Sequence, residues 1–157
     1  MTKEQAMLAS SLTACRQHIE KLRYSMQKNA ALFPLTPTRL ASLTESQEES
    51  VDALILRYSQ CVSMIQDQLF RGIAYLEQED ISDKSNRDRT LLMEKLGAIK
   101  SAEDFGTAAM LRNKFSQHYP EETIDRMERL NLVMNEANFV MTCFDDISAY
   151  LDRKGLV

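Results

Sequence analysis

Apolar residues recur along this chain in the rhythm of helices that pack over their whole length. Leu8, Leu12, Cys15, Ile19, Leu22 and Met26 are separated alternately by four and three residues. That spacing holds one face of a helix against its neighbours, so it predicts a helix from Lys3 to about Asn29 with a bundle seam along it. From Ala30 to about Thr44 the pattern breaks. Pro34 and Pro37 are expected to exclude a regular helix there, yet Leu32, Phe33, Leu35 and Leu40 are too apolar for a solvated linker, so this stretch should cover an end of the bundle. Thr44 or Ser46 then caps a second helix, with Glu48 and Glu49 favourable in its first turn. Its stripe, Val51, Leu54, Ile55, Tyr58, Cys61, Val62, Ile65, Leu69, Ile73 and Leu76, is wider than one seam needs and predicts neighbours on two sides. Gln60, Gln66 and Gln68 fall on its outer positions, and Arg57 and Arg71 face either solvent or a partner.

The charged stretch Glu77 to Asp88 ends that helix. The run from Ile81 to Asp88 is polar and rich in turn formers, which reads as a mobile loop. Its neighbourhood holds a small basic cluster, Lys84, Arg87 and Arg89, suited to a solvated loop or to a contact with RNA. A short helix from Thr90 to about Leu96 stops at Gly97. Ser101 with Asp104 three residues on resembles a capping box and starts the next helix. There Phe105, Ala108, Arg112 and Phe115 share one face, which puts a cation on an apolar stripe. Such a charge needs a counterpart or a solvent-filled cleft, and a cleft across a dimer interface would serve two copies. Pro120-Glu121-Glu122 opens the last helix, with the acids at the positive end of the dipole. Met127, Leu130, Met134, Ala137, Met141, Phe144 and Leu151 form its seam, bordered by Asn131, Asn135 and Asn138, and Arg153-Lys154-Gly155 ends it. The architecture expected is all-α: one domain over residues 1–157, an up-and-down four-helix bundle with an additional short helix.

Composition agrees with that reading. A chain of 157 residues with 4 Gly, 3 Pro, 9 Met and 44% apolar residues suits one domain of packed helices able to bury its own core. No apolar run approaches membrane-spanning length, and Lys3-Glu4 near the amino terminus is unlike a signal peptide, so a cytoplasmic protein with no membrane association is expected. Cys15, Cys61 and Cys143 are far apart and fall among apolar helical positions, as buried reduced thiols do; no metal and no cofactor is expected. His18, between Gln17 and Ile19, reads as a surface or rim histidine. A net charge of −4 argues against a general nucleic-acid binder, so any RNA contact must be local.

The chemistry concentrates in the stretch from Arg112 to Pro120. An arginine offers a planar fork of donors suited to phosphate, and a histidine moves a proton near neutral pH. Arg112-Asn113, followed by His118 with five residues between arginine and histidine, resembles the signature of the HEPN superfamily. Met110-Leu111-Arg112-Asn113 leading to His118-Tyr119-Pro120 resembles its HepT-like branch. The usual order of that branch would put the histidine at position 117 and the tyrosine at 119; here 117 is Gln, the histidine follows it, and Tyr119 keeps its place. Pro120 disfavours helix just before itself, so helical spacing need not govern these residues.

The resemblance implies an all-helical homodimer, in a toxin–antitoxin pair, partnered by a minimal nucleotidyltransferase protein. It implies a metal-independent endoribonuclease with Arg112 and His118 catalytic, Asn113 and Gln117 supporting, and Tyr119 the residue that the partner modifies with AMP. Two alternatives stand beside it. The same fold serves as a non-catalytic binding subunit or antitoxin-like partner of a two-component nucleotidyltransferase. Or Arg112 pairs with a carboxylate such as Glu103 or Asp104, and His118 merely caps a helix end.

Overall fold

Thr2 starts the first helix by hydrogen-bonding in both directions. Its hydroxyl accepts from the Gln5 N–H at 3.1 Å while the Gln5 side chain accepts from the Thr2 N–H at 2.8 Å. Two of the donors that a helix start leaves orphaned are thereby satisfied. The computed structural model describes residues 1–117 and 123–157, and the described residues form helices and their connections, with no strand. Helix α1 spans Lys3–Asn29, and all six seam residues named above are buried in it.

The segment after α1 contains more helix than its prolines suggest. A turn of 3₁₀-helix at Ala30–Leu32 is followed by α2, Pro37–Ala41. Pro37 occupies the first turn, where a missing N–H costs nothing, and Thr36 caps it, so the expectation that Pro37 excludes helix is corrected. The apolar reading of the segment stands: Leu35 and Leu40 are buried with Val51 and Leu130 in a small cluster of their own. Asn131 fastens this segment. Its Oδ1 accepts from the Leu35 N–H at 2.7 Å and its Nδ2 donates to the Leu35 carbonyl at 3.0 Å. Asn131→Ala strands both backbone groups and should lower stability by about 1–2 kcal/mol in urea unfolding. Asn138→Ala, which removes only an exposed bond to Met134 of its own helix, should change it by less than about 0.5 kcal/mol.

Helix α3, Glu45–Met64, is capped by Thr44 paired with Gln47. It runs through a π-helical turn at Ile65–Leu69 into α4, Phe70–Leu76. Along this rod the buried positions come as adjacent pairs, Cys61 and Val62, Ile65 and Gln66, Leu69 and Phe70, Ile73 and Ala74, repeating every four residues. Four residues of α-helix turn about 400°, so three such steps drift about 120° from a fixed face. The widened turn absorbs this drift, and it also turns Gln66 inward, correcting the outer position read for it. Arg57 faces α1, donating to the Lys21 carbonyl and the Ser25 hydroxyl.

Helix α5 spans Asn86–Leu96, starting at the Ser85 cap rather than at Thr90. Arg89 is therefore helical and half-buried, and it donates to the Ile81 carbonyl at 2.8 Å instead of belonging to a solvated loop. Gly97 stops the helix with φ 88°, a conformation costly for other residues. The Glu94 carboxylate then accepts from the Ala102 N–H at 2.5 Å, bending the chain into α6, Ala102–Phe115, whose cap is Ser101. Helix α7 spans Thr123–Lys154. The core lies where α1 packs on α3, α4 and α7, and where α6 packs on α3, α5 and α7.

No described helix is long and apolar enough to cross a membrane. His18 lies half-buried on the rim of α1. All three cysteines are free and buried, and burial pushes each thiol up to about 12. Because the thiolate is the reactive form, Ellman's reagent at about pH 8 should titrate fewer than about one thiol per native chain. In denaturant it should titrate all three; rapid reaction of the native protein would contradict this packing.

Candidate functional site

Helix α6 ends at Phe115, where the Ser116 N–H and hydroxyl both donate to the Asn113 carbonyl, at 3.2 and 2.8 Å. Gln117 lies beyond the helix and is exposed, its N–H reaching the Lys114 carbonyl at 3.4 Å. The chain has thus left helical geometry before the expected histidine. His118 and Tyr119 lie outside the described residues, so the geometry of the site rests on Arg112, Asn113 and their surroundings.

Arg112 is half-buried on the face it shares with Phe105, Ala108 and Phe115. Its Nη1 donates to the Ser63 hydroxyl at 3.3 Å, across to α3. Its Nε and Nη2 both donate to the Asn113 Oδ1, at 3.2 and 3.1 Å. None of these acceptors is a carboxylate, and among the described residues neither Glu103 nor Asp104 pairs with it, which corrects the alternative reading on that point. The charge is not stranded in a monomer core either. Arg112 borders two open clefts, one of about 470 Å³ between α3 and α6, with Ile55, Leu56 and Phe115 on its walls, and one of about 700 Å³ along α5, α6 and the π turn. A guanidinium held by neutral oxygens beside open space is not neutralised by a direct partner, although Asp52 and Glu103 stand on the walls of the two clefts.

Asn113 has a double part. Its oxygen fixes the arginine fork, and its amide nitrogen, without a hydrogen bond among the described residues, is an exposed donor beside the same cleft. Beneath them lies Tyr58, fully buried, whose hydroxyl donates to the Ala108 carbonyl at 2.6 Å and whose ring meets Phe115 edge-on at 6.5 Å. Burial pushes the Tyr58 hydroxyl well above the usual range; the Glu136 carboxylate adds to this and the Arg112 charge opposes it. Glu136 is itself raised, by burial and then by the Asp104 carboxylate. Two carboxylates, Glu136 and Asp104, thus stand in this neighbourhood without pairing to the arginine among the described residues.

Ser63 and Gln66 are the members that sequence reasoning missed. Ser63 lies 49 residues from Arg112, so only the packing of α3 on α6 joins them. Gln66 is revealed by the four-residue repeat of buried pairs described above. The chain matches no protein-family model, no curated protein and no solved structure.

Proposed function

We propose that the chain is a HEPN-like domain of the HepT type, acting as a homodimer that cleaves RNA at a single phosphodiester held by Arg112. In this reading His118 takes the proton from the ribose 2′-hydroxyl as its oxygen attacks the adjacent phosphorus. The bond to the 5′-oxygen breaks, a cyclic phosphate forms, and the proton is returned to the leaving 5′-oxygen. Arg112 meets the charge gathering on the phosphoryl oxygens, and the free amide of Asn113 orients one of them. Gln117, exposed just before the histidine, is the supporting residue that the resemblance implies. Tyr119 is the residue through which a minimal nucleotidyltransferase partner would silence the site by adding AMP. One observation carries the reading: a guanidinium held by neutral oxygens at the junction of two clefts, with no carboxylate on it among the described residues.

A second reading is favoured by the tether itself. Two of the guanidinium nitrogens are already committed to Asn113 and a third to Ser63, and Gln117 stands where the HepT pattern has histidine. On that view the same fold is a non-catalytic binding subunit, or an antitoxin-like partner, of a two-component nucleotidyltransferase. Incubating total RNA with the purified protein, and with Gln117→His, separates the two. Cleavage by either protein supports the nuclease. If both leave the RNA intact and are harmless to growing cells, the binding-subunit reading replaces it.

A further inference from the structure

The larger cleft beside Arg112 contains a group that the cleavage chemistry does not use. Gln66 is 7% exposed, it lines the cleft, and its side-chain amide makes no hydrogen bond among the described residues. The side chain is nearly enclosed, yet its amide nitrogen and oxygen stay open to the cleft, one donor and one acceptor side by side for a ligand. It is also held in place by a π turn, a rare element that occurs frequently at functional sites. Without that turn the inward positions of α3 and α4 could not be followed by an α-helix, and the amide would not open on the cleft.

The rest of the cleft narrows the chemistry of what the amide awaits. Leu91 and Met110 on the walls offer apolar surface, both being large side chains left exposed. Arg112 and Arg87, the latter in the first turn of α5, supply positive charge against a single carboxylate of the lining, Glu103. A planar group lying on apolar side chains, with an edge of alternating donors and acceptors for one amide and an anion for the arginines, is a nucleotide. An amide presents a donor and an acceptor side by side, the complement of a base edge. Exposed apolar walls favour the flat face of the base over water.

We propose that this cleft is a nucleotide subsite in which Gln66 pairs with the edge of a base whose phosphate is held by Arg112. It makes Gln66 a specificity-determining residue next to the scissile phosphate, and it rests on the reading of Arg112 as a phosphate site. A volume of about 700 Å³ accommodates one nucleotide with room for solvent.

The test is a titration of the ¹⁵N-labelled full chain with inorganic phosphate and, separately, with AMP, GMP, CMP and UMP, followed by amide and side-chain NMR signals. At least one nucleotide is expected to move the Gln66 side-chain amide signal and to bind about tenfold more tightly than phosphate, the increment of one paired base edge. Gln66→Met, similar in length and able to stay buried, should remove that increment and leave phosphate binding unchanged. If phosphate shifts signals around Arg112 but no nucleotide binds more tightly or moves the Gln66 amide, the subsite is overturned and the phosphate site stands. Failure of phosphate and every nucleotide to perturb the cleft overturns both. A nucleotide that binds Gln66→Met as tightly as the wild type also overturns the assignment.

Discussion

Phe105→Ala is expected to lower the unfolding free energy by about 3–5 kcal/mol, the usual cost of emptying a fully buried aromatic site. Phe105 is completely buried, its ring 4.9 Å from that of Phe70 and tilted by 53°. It is the only large aromatic anchor that α6 places wholly inside the core, because the other buried positions of that helix are Ala102, Ala108, Ala109 and Leu111. Alanines cannot move in to fill the space, so most of the cavity should persist. For a domain whose whole stability is of order 5–15 kcal/mol, the urea midpoint should fall far enough to leave little folded protein near the working temperature. Phe105→Leu, which keeps most of the volume, should cost distinctly less, and Met110→Ala, at an exposed position of the same helix, less than about 0.5 kcal/mol. A Phe105→Ala protein within about 1 kcal/mol of wild type would mean that α6 is not held to the core as described.

That anchor was legible in the sequence, and so was the seam of α1, because both rest on local helical periodicity. What was misread has a physical pattern of its own. Pro37 reads as a breaker because proline in a helix interior loses a hydrogen bond, but in a first turn there is none to lose. The start of α5 was placed too late because Asn86, Arg87 and Asp88 are polar and exposed; solvated side chains give no periodic signal, and only the Ser85 cap marks the boundary. The inward turn of Gln66 was written in the four-residue repeat of buried pairs. It is hidden from any reading that assumes 3.6 residues per turn throughout, since that assumption puts a glutamine on the outside.

Within the candidate site, the spacing of Phe105, Ala108, Arg112 and Phe115 placed the arginine at the edge of the buried face. It could not supply Ser63, which meets Arg112 only because α3 packs on α6, or the clefts on either side, which are products of the tertiary arrangement. The neutral character of the acceptors is what supports the proposed phosphate chemistry. A carboxylate on Arg112 would have cancelled the charge locally, whereas a hydroxyl and an amide orient it and leave it electrostatically unspent.

On the proposed nuclease reading, Arg112→Ala is expected to reduce RNA cleavage at least about a hundredfold, the cost of roughly 3 kcal/mol when a donor to a developing oxyanion is removed. Its folding should change by less than about 1 kcal/mol, because the bonds lost are one long bond to a half-buried hydroxyl and two to an adjacent exposed amide. Arg112→Lys keeps the charge and loses the fork, so it should bind phosphate and recover only part of the rate. His118→Ala should be as inactive as Arg112→Ala, and the double variant no worse than either, because groups that act on one transition state are not additive. Single-turnover cleavage with circular dichroism and urea unfolding on the same samples reads rate and folding apart. Full cleavage by Arg112→Ala would remove the arginine from the chemistry. Loss of activity together with several kcal/mol of stability would instead make the Arg112–Ser63 contact a structural tie between α3 and α6.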